Sequence, residues 1–483
     1  MKAVSKNKKR TLPPEEKVNQ NILRLAYIVV FLFLTLIGYV AYFLTVSREN
    51  VINNTYNARL ESFSKRVERG SILSNDKTVL AMTELEENGK ETRSYPYGSL
   101  FSHVVGYSTR GKTGLETLGN FYLLTSHMNL VNQAVAELSG RKKLGDHIVT
   151  SLDIELQQLA SDALGDRRGA VVVMEPDTGR ILAMVSKPDF DPNTIQESWE
   201  TLISAENHQA QLMNRATQGL YPPGSSFKIV TLLEYIREHP EDYEDYQFDC
   251  NGYYKNGEYT LQCYHGTAHG SQNLEEAFAN SCNGAFASIG VELEPGGLKR
   301  TAEELLFNKE QPVPLAYSKS RFAMRDDADT WEILQTSIGQ GLTQMTPMHN
   351  AMITSAIANG GILMNPYLID RVENRAGNVV KQFSPTIYKT LMSQEEARIL
   401  TDMMRKVVTQ GTGSALRTEA YEAAGKTGSA QFEDGNESHA WFTGFAPVDN
   451  PQIVVSVVVE KGGSGGATAA PIAKRIFDVY LSR

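Results

Sequence analysis

The sequence predicts an α+β protein: a single N-terminal transmembrane helix, a small α+β module, and a larger domain in which one antiparallel sheet is covered by helices. Three observations predict it. A 22-residue run without a charge stands near the N-terminus, strand-turn-strand patterns open and close the last two-thirds of the chain, and the segments between those patterns carry mostly helical spacing. At 483 residues the chain exceeds what one hydrophobic core usually organises, so more than one soluble unit is expected. The net charge of −9, with no Lys/Arg-dense stretch beyond the first residues, argues against a nucleic-acid partner.

The uncharged run is Leu25 to Val46, LAYIVVFLFLTLIGYVAYFLTV, long enough to cross a bilayer as one helix. A cleaved signal would be shorter and end in small residues, and Val46-Ser47-Arg48 offers no such site, so the span is expected to be retained. Lys2, Lys6, Lys8, Lys9, Arg10, Lys17 and Arg24 precede it against only Glu15 and Glu16, whereas Arg48 and Arg59 follow it. The positive-inside bias makes residues 1–24 a cytoplasmic tail, 25–46 a single pass of the cytoplasmic membrane, and everything beyond extracytoplasmic. Tyr27, Tyr39 and Tyr42 suit interfacial positions or a partner helix.

Residues 47–150 are polar, with turn signals at Glu68-Arg69-Gly70, Ser74-Asn75-Asp76 and Tyr95-Pro96-Tyr97-Gly98, and read as a small non-catalytic α+β module. The second domain, 151–483, opens with a helical pattern that Asp153 caps. Ala170–Met174, the turn Glu175–Gly179 and Arg180–Val185 read as a hairpin, as do Trp441–Ala446 and Ile453–Val459 around Pro447–Pro451. Ala470 to Leu481 closes the chain as a helix.

Within Tyr221-Pro222-Pro223-Gly224-Ser225-Ser226-Phe227-Lys228, two prolines and a glycine deliver Ser225 to the start of an apolar helix. Lys228 lies one turn on, on the same face, where it can take a proton from an otherwise unreactive hydroxyl. Alone the pattern is weak, since a serine at a helix start is usually only a cap. Ser281-Cys282-Asn283 and Lys426-Thr427-Gly428 follow in the order that serine acyltransferases of this kind require, and the ordered set is far more specific than any one member.

From about Arg69 to its end the chain resembles the class B penicillin-binding proteins. Arg69-Gly70-Ser71-Ile72, Val79-Leu80-Ala81 and Thr113-Gly114-Leu115-Glu116 resemble the N-terminal module. Thr150-Ser151-Leu152-Asp153, Pro188–Asn193, Asn214-Arg215-Ala216, Gly339-Gln340-Gly341 and Trp441-Phe442-Thr443-Gly444 resemble the transpeptidase domain. Ser74-Asn75-Asp76 departs from the family's more usual Asp-Arg-Asn turn. The resemblance implies a peptidoglycan D,D-transpeptidase, inhibited by β-lactams, that needs no cofactor for catalysis. Ser225 attacks the penultimate D-Ala carbonyl of a stem peptide, and Lys228 is the base. Ser281 relays the proton, Asn283 orients Lys228 and the substrate amide, and Lys426, Thr427, Gly428 and Ser429 hold the substrate. Lys426 is also expected to disfavour protonation of Lys228, and the backbone N–H groups of Ser225 and Ser429 are expected to hold the oxyanion. The expected partners are stem peptides, the membrane and a SEDS polymerase of the RodA/FtsW type. A non-catalytic polymerase activator, a β-lactam sensor and a D,D-carboxypeptidase are the rivals.

Cys250, Cys263 and Cys282 fall within 33 residues of an otherwise cysteine-free chain. With His269, or its rival His265, they suggest a tetrahedral Cys3His structural zinc site. A Cys250–Cys263 disulfide and three unliganded thiols are the other readings. In some elongation-type relatives a metal is held by the middle residue of the second motif, here Cys282. His439, with Glu433 and Asp434, offers a Ser-His-Asp alternative, but His439 reads better as a strand or substrate-edge residue. The methionines between Met345 and Met364 read as core.

Overall fold

The computed structural model describes residues 14–43, 66–128, 138–139, 142–204, 206–294, 296–325, 327–432 and 437–483. The chain divides into two compact units, Met1–Arg59 and Leu60–Arg483. The first contains helix α1 (Pro14–Tyr42). Its part Ile22–Tyr42, with a mean hydropathy of 2.3, is long and apolar enough to cross a membrane. The helix begins well before Leu25, because a proline is tolerated at a first position whose N–H has no intrahelical partner. Residues 44–46 of the expected span lie outside the described residues.

In the second unit, β1 (Ile72–Leu73), β2 (Val79–Leu85), β3 (Glu91–Ser94) and β4 (His147–Thr150) form four neighbours of a six-stranded sheet. The other two strands, Ile369–Glu373 and Val379–Gln382, come from far along the chain, and the first of them pairs antiparallel with β4. Segment 47–150 therefore does not complete its own sheet. Beneath that sheet, two of the stretches singled out in the sequence meet in one ion cluster. Arg69 and Arg93 each donate through Nε to the fully buried Glu116 carboxylate, at 2.6 and 2.7 Å. Burial disfavours all three charges, and their mutual pairing offsets that cost.

Helix α2 (Ile154–Leu164) starts where expected, with Asp153 accepting from the Leu156 N–H at 2.9 Å. Then β5 (Gly169–Met174) and β6 (Ile181–Lys187) form the first hairpin. Helices α3 (Lys228–Glu238), α4 (Asn283–Glu292), α5 (Pro347–Ala358) and α6 (Gln394–Thr409) follow. The chain then returns to the sheet as β7 (Ala424–Phe432), β8 (Glu437–Ala446) and β9 (Ile453–Val459), and ends in α7 (Gly465–Leu481). The five-stranded order is β7-β8-β9-β5-β6, antiparallel throughout.

Burial on both faces explains why β9 is almost continuously apolar. Val454 and Val458 share a core with Met352 of α5, whereas Val455, Val457 and Val459 share one with Phe477 of α7. Helix α7 starts earlier than its apolar pattern, at Gly465, where only glycine fits: an added Cβ would lie 2.2 Å from Trp441 O. Met345, Met348 and Met352 are buried core residues, as expected.

Candidate active site

Ser225 sits in a 3₁₀ turn, Gly224–Phe227, that leads into α3. Gly224 has a φ of +53°, and a Cβ there would press on Ala430 of β7 at 3.0 Å, so only glycine lets the turn lie flat on the strand. The approach is pinned from several sides. Gly224 N–H donates to Gly339 O at 2.9 Å, the Trp441 indole donates to Pro222 O at 3.0 Å, and Tyr221 exchanges two backbone bonds with Met345. No side-chain cap bond engages this turn, so the half-buried Ser225 does not act as its cap.

Lys228, the first residue of α3, is fully buried and donates to Ser281 O at 2.7 Å, Asn283 Oδ1 at 2.8 Å and, more weakly, Ser281 Oγ at 3.4 Å. From β7, Lys426 is equally buried and donates to the same Ser281 Oγ at 2.9 Å and to Thr427 O at 3.0 Å. Two buried amines thus converge on one hydroxyl. Burial lowers the Lys228 pKa to about 8, against a partial pull upward from Cys282 and Cys263. Lys426 is lowered well below its ordinary range, first by burial and then by the charge of Lys228. Desolvation is the main cause acting on both lysines, and the repulsion between them is mutual, so that each disfavours protonation of the other. Ser281 is held at a φ of +56°, unusual for a residue with a side chain, which turns its hydroxyl between the two amines.

These groups open onto one cleft of about 260 Å³, lined by Ser225, Ser281, Asn283, Thr427, Gly428 and Ser429. All the residues expected at the catalytic site are therefore brought together; Lys228 and Lys426 do not line the cleft but reach it through Ser281, to whose hydroxyl both donate. Thr412 was not legible from the sequence. Its hydroxyl is 2.6 Å from that of Thr427, so one of the pair donates to the other and leaves a hydroxyl proton free for a substrate carboxylate.

Beside the cleft, Cys250, Cys263, His269 and Cys282 converge, with all four ligand atoms within 4.8 Å of one another. Cys250 ends strand Gln247–Cys250, whose register sets it opposite Gly270 and so beside His269. Cys250 Sγ lies 3.6 Å from Cys263 Sγ and 3.3 Å from His269 Nδ1, and Cys263 Sγ lies 3.8 Å from Cys282 Sγ. A tetrahedral zinc with ordinary Zn–S bonds would hold its sulfurs about 3.8 Å apart. The three thiols are free, and 3.6 Å is far beyond a sulfur–sulfur bond. Cys263 is pulled down to about 5, first by the hydrogen bond from Cys282, which is itself pushed up by that bond. Cys282 also caps α4, its sulfur accepting from Ala285 N–H. His265 is not among the four converging residues, and its ring lies against that of Tyr264.

His439 lies opposite Ala430 in the sheet, packs on the Tyr221 ring, and accepts from Lys461 N–H through Nδ1. Burial lowers its pKa, as suits a neutral packing residue. Glu433 and Asp434 lie outside the described residues. A further set that the sequence did not reveal is centred on Glu460. Its carboxylate accepts from fully buried Arg215 at 2.7 Å, from the Tyr221 hydroxyl at 2.8 Å and from Arg168 at 2.8 Å, tying the end of β9 to the approach to Ser225.

Residues 169–478 match the penicillin binding protein transpeptidase domain, and residues 69–148 match the penicillin binding protein A dimerisation domain. The chain belongs to the penicillin-binding protein transpeptidase family. This penicillin-binding protein is 32% identical over 445 residues to the peptidoglycan D,D-transpeptidase PbpA of Mycolicibacterium smegmatis, covering 86% of this chain and 89% of that one. Among solved structures it resembles the D,D-transpeptidase domain of a peptidoglycan glycosyltransferase from Eggerthella lenta, with a TM-score of 0.78, 34% identity and coverage of 86% and 99%. It also resembles penicillin-binding protein A from M. tuberculosis in its ceftriaxone acyl-enzyme complex, with a TM-score of 0.77, 29% identity and coverage of 87% and 99%.

Proposed function

We propose that this class B penicillin-binding protein is a peptidoglycan D,D-transpeptidase working through a Ser225 acyl-enzyme. The observation that carries the reading is the convergence of two buried amines, Lys228 and Lys426, on the Ser281 hydroxyl at the floor of a cleft that also exposes Ser225. In the first step Ser225 Oγ bonds to the penultimate D-Ala carbonyl carbon, and its proton passes to neutral Lys228. As the tetrahedral intermediate collapses, the C–N bond breaks and the proton moves through Ser281 to the departing D-Ala amine. In the second step the amine of a neighbouring stem peptide bonds to the ester carbonyl carbon, its proton passes by way of Lys228 to Ser225 Oγ, and the C–O bond breaks to free Ser225. Backbone N–H groups of Ser225 and Ser429 are the oxyanion donors in this reading, and Thr427 with Thr412 receives the terminal carboxylate. The same serine is acylated by β-lactams. Intact-protein mass after incubation with penicillin tests it: one adduct is expected, mapping to Ser225. An adduct on Ser226, or none, refutes the assignment.

The apolar helix α1 anchors the protein in the cytoplasmic membrane as a single pass, with the catalytic domain extracytoplasmic, and the N-terminal module engages a SEDS-type polymerase. The first reading is supported by the charge bias around the helix, the second by the class resemblance. Co-purification of the full chain carrying Ser225→Ala with such a polymerase tests the second; its absence leaves the anchor a tether. Cys250, Cys263, His269 and Cys282 would hold one zinc, whose contribution is structural: it would fix the turn from which Ser281 and Asn283 reach the cleft.

A further inference from the structure

One wall of the catalytic cleft belongs to none of the three motifs. Tyr264 and Thr267 line it together with Ser225 and Ser281. Tyr264 is 45% exposed, which for an aromatic side chain bordering a catalytic cleft leaves a large apolar face open to a ligand. The loop that carries it is braced at both ends: Cys263 precedes Tyr264, His269 follows Thr267 by two residues, and both belong to the buried cysteine-histidine cluster. Inside the loop, His265 and Gly266 take positive φ angles, and the Thr267 hydroxyl and N–H both donate to Tyr264 O. The Thr267 hydroxyl proton is thus already donated, and its lone pairs remain to accept from a ligand N–H. Such bracing holds a contact surface in place before any ligand arrives.

The hydrogen bonds show which part of a substrate this wall meets. Thr412 and Thr427 stand at one end of a chain that runs, by way of the Thr427 carbonyl, through Lys426, Ser281, Lys228 and Asn283. At the other end the Asn283 amide donates to Gln262 O at 3.1 Å, directly before the loop. With the terminal carboxylate at the hydroxyl end, as in the transpeptidase reading, the part of the peptide preceding the scissile bond runs along the cleft toward the loop, whose Tyr264 and Thr267 line it beside Ser225, Ser281 and Asn283.

We infer that Tyr264 and Thr267 form the subsite for the acyl side of the substrate: the residue preceding D-Ala-D-Ala in a stem peptide, or the acylamino side chain of a β-lactam. The Tyr264 ring packs on that side chain and Thr267 Oγ1 accepts from its amide N–H. The inference rests on the transpeptidase reading, since it takes Ser225 as the acylated atom.

The test compares second-order acylation constants of the full-length protein toward benzylpenicillin, which carries a phenylacetyl side chain, and 6-aminopenicillanic acid, which carries none. Tyr264→Ala is expected to lower the benzylpenicillin constant by roughly fivefold to tenfold, the size of a lost aromatic contact, while leaving the 6-aminopenicillanic acid constant unchanged. Tyr264→Phe keeps the ring and is expected to keep the ratio. An unchanged ratio in Tyr264→Ala overturns the subsite, and so does an equal loss of both constants, because a subsite contact acts only on the drug that reaches it. If neither drug acylates the wild-type protein, the transpeptidase reading fails first and this inference fails with it.

Discussion

Replacing Lys228 by alanine separates the buried-amine mechanism from one in which Ser225 reacts unaided. With its pKa lowered to about 8 by burial, Lys228 is neutral in roughly a tenth of molecules at pH 7 and in about nine-tenths at pH 9. Wild-type acylation should therefore rise about tenfold between those pH values, the neutral fraction being the reactive one. Lys228→Ala removes the acceptor, and the acylation constant at pH 8 should fall by about a hundredfold or more, the usual loss for a general base. Its pH profile should lose the inflection near 8. The variant should fold, because it removes a buried ammonium and with it the repulsion acting on Lys426. The same linkage has a sign for stability. Since the folded pKa lies below the ordinary 10.5, the unfolded chain binds more protons between about 8 and 10.5, and wild-type stability should rise with pH across that window. The assay is stopped-flow acylation by a fluorescent penicillin from pH 6.5 to 9.5, with melting curves alongside. A variant that acylates at wild-type speed, or keeps the inflection near 8, refutes the assignment of Lys228 as base.

Ser225→Ala should abolish the penicillin adduct in intact-protein mass spectra while leaving the melting temperature within a few degrees; persistence of the adduct excludes Ser225 as nucleophile. Elemental analysis of the purified protein should find about one zinc per chain, and alkylation under denaturing, chelating, non-reducing conditions should find three free thiols. One free thiol without metal would instead establish a Cys250–Cys263 disulfide. Glu460→Ala should cost about 3–5 kcal/mol in denaturant unfolding, because it leaves the fully buried Arg215 guanidinium without its counter-ion. A loss under 1 kcal/mol would mean that Arg215 is solvated or paired elsewhere.

What was legible in the sequence is what depends on neighbours along the chain. The hairpin pairs Gly169–Met174 with Ile181–Lys187 and Glu437–Ala446 with Ile453–Val459 follow from apolar runs bounded by turn residues, and Asp153 marks its helix because a cap acts within three residues. The three motifs were legible because each is a short local device: a serine and a lysine one turn apart, a turn leading into a helix, a strand entering the cleft. The three cysteines and His269 were legible as a set because they fall within one short segment, and the pairing of Cys250 opposite Gly270 is what brings His269, rather than its rival His265, beside them.

By itself, then, the sequence determined the family of the protein, its apolar N-terminal helix and which residues the family's chemistry would use, since side-chain type and local spacing are properties of the chain alone. The tertiary structure alone decided how those residues act on one another. The depressed pKa of Lys228 arises from burial, a property of what surrounds it, and the sharing of Ser281 by two amines joins residues 53 and 145 positions apart. The pairing of strand Ile369–Glu373 with β4, the Thr412–Thr427 hydroxyl pair and the Glu460 cluster likewise join segments distant in the chain. Periodicity reports which face of an element is apolar, but not which remote element covers it, and these contacts exist only once the chain has folded.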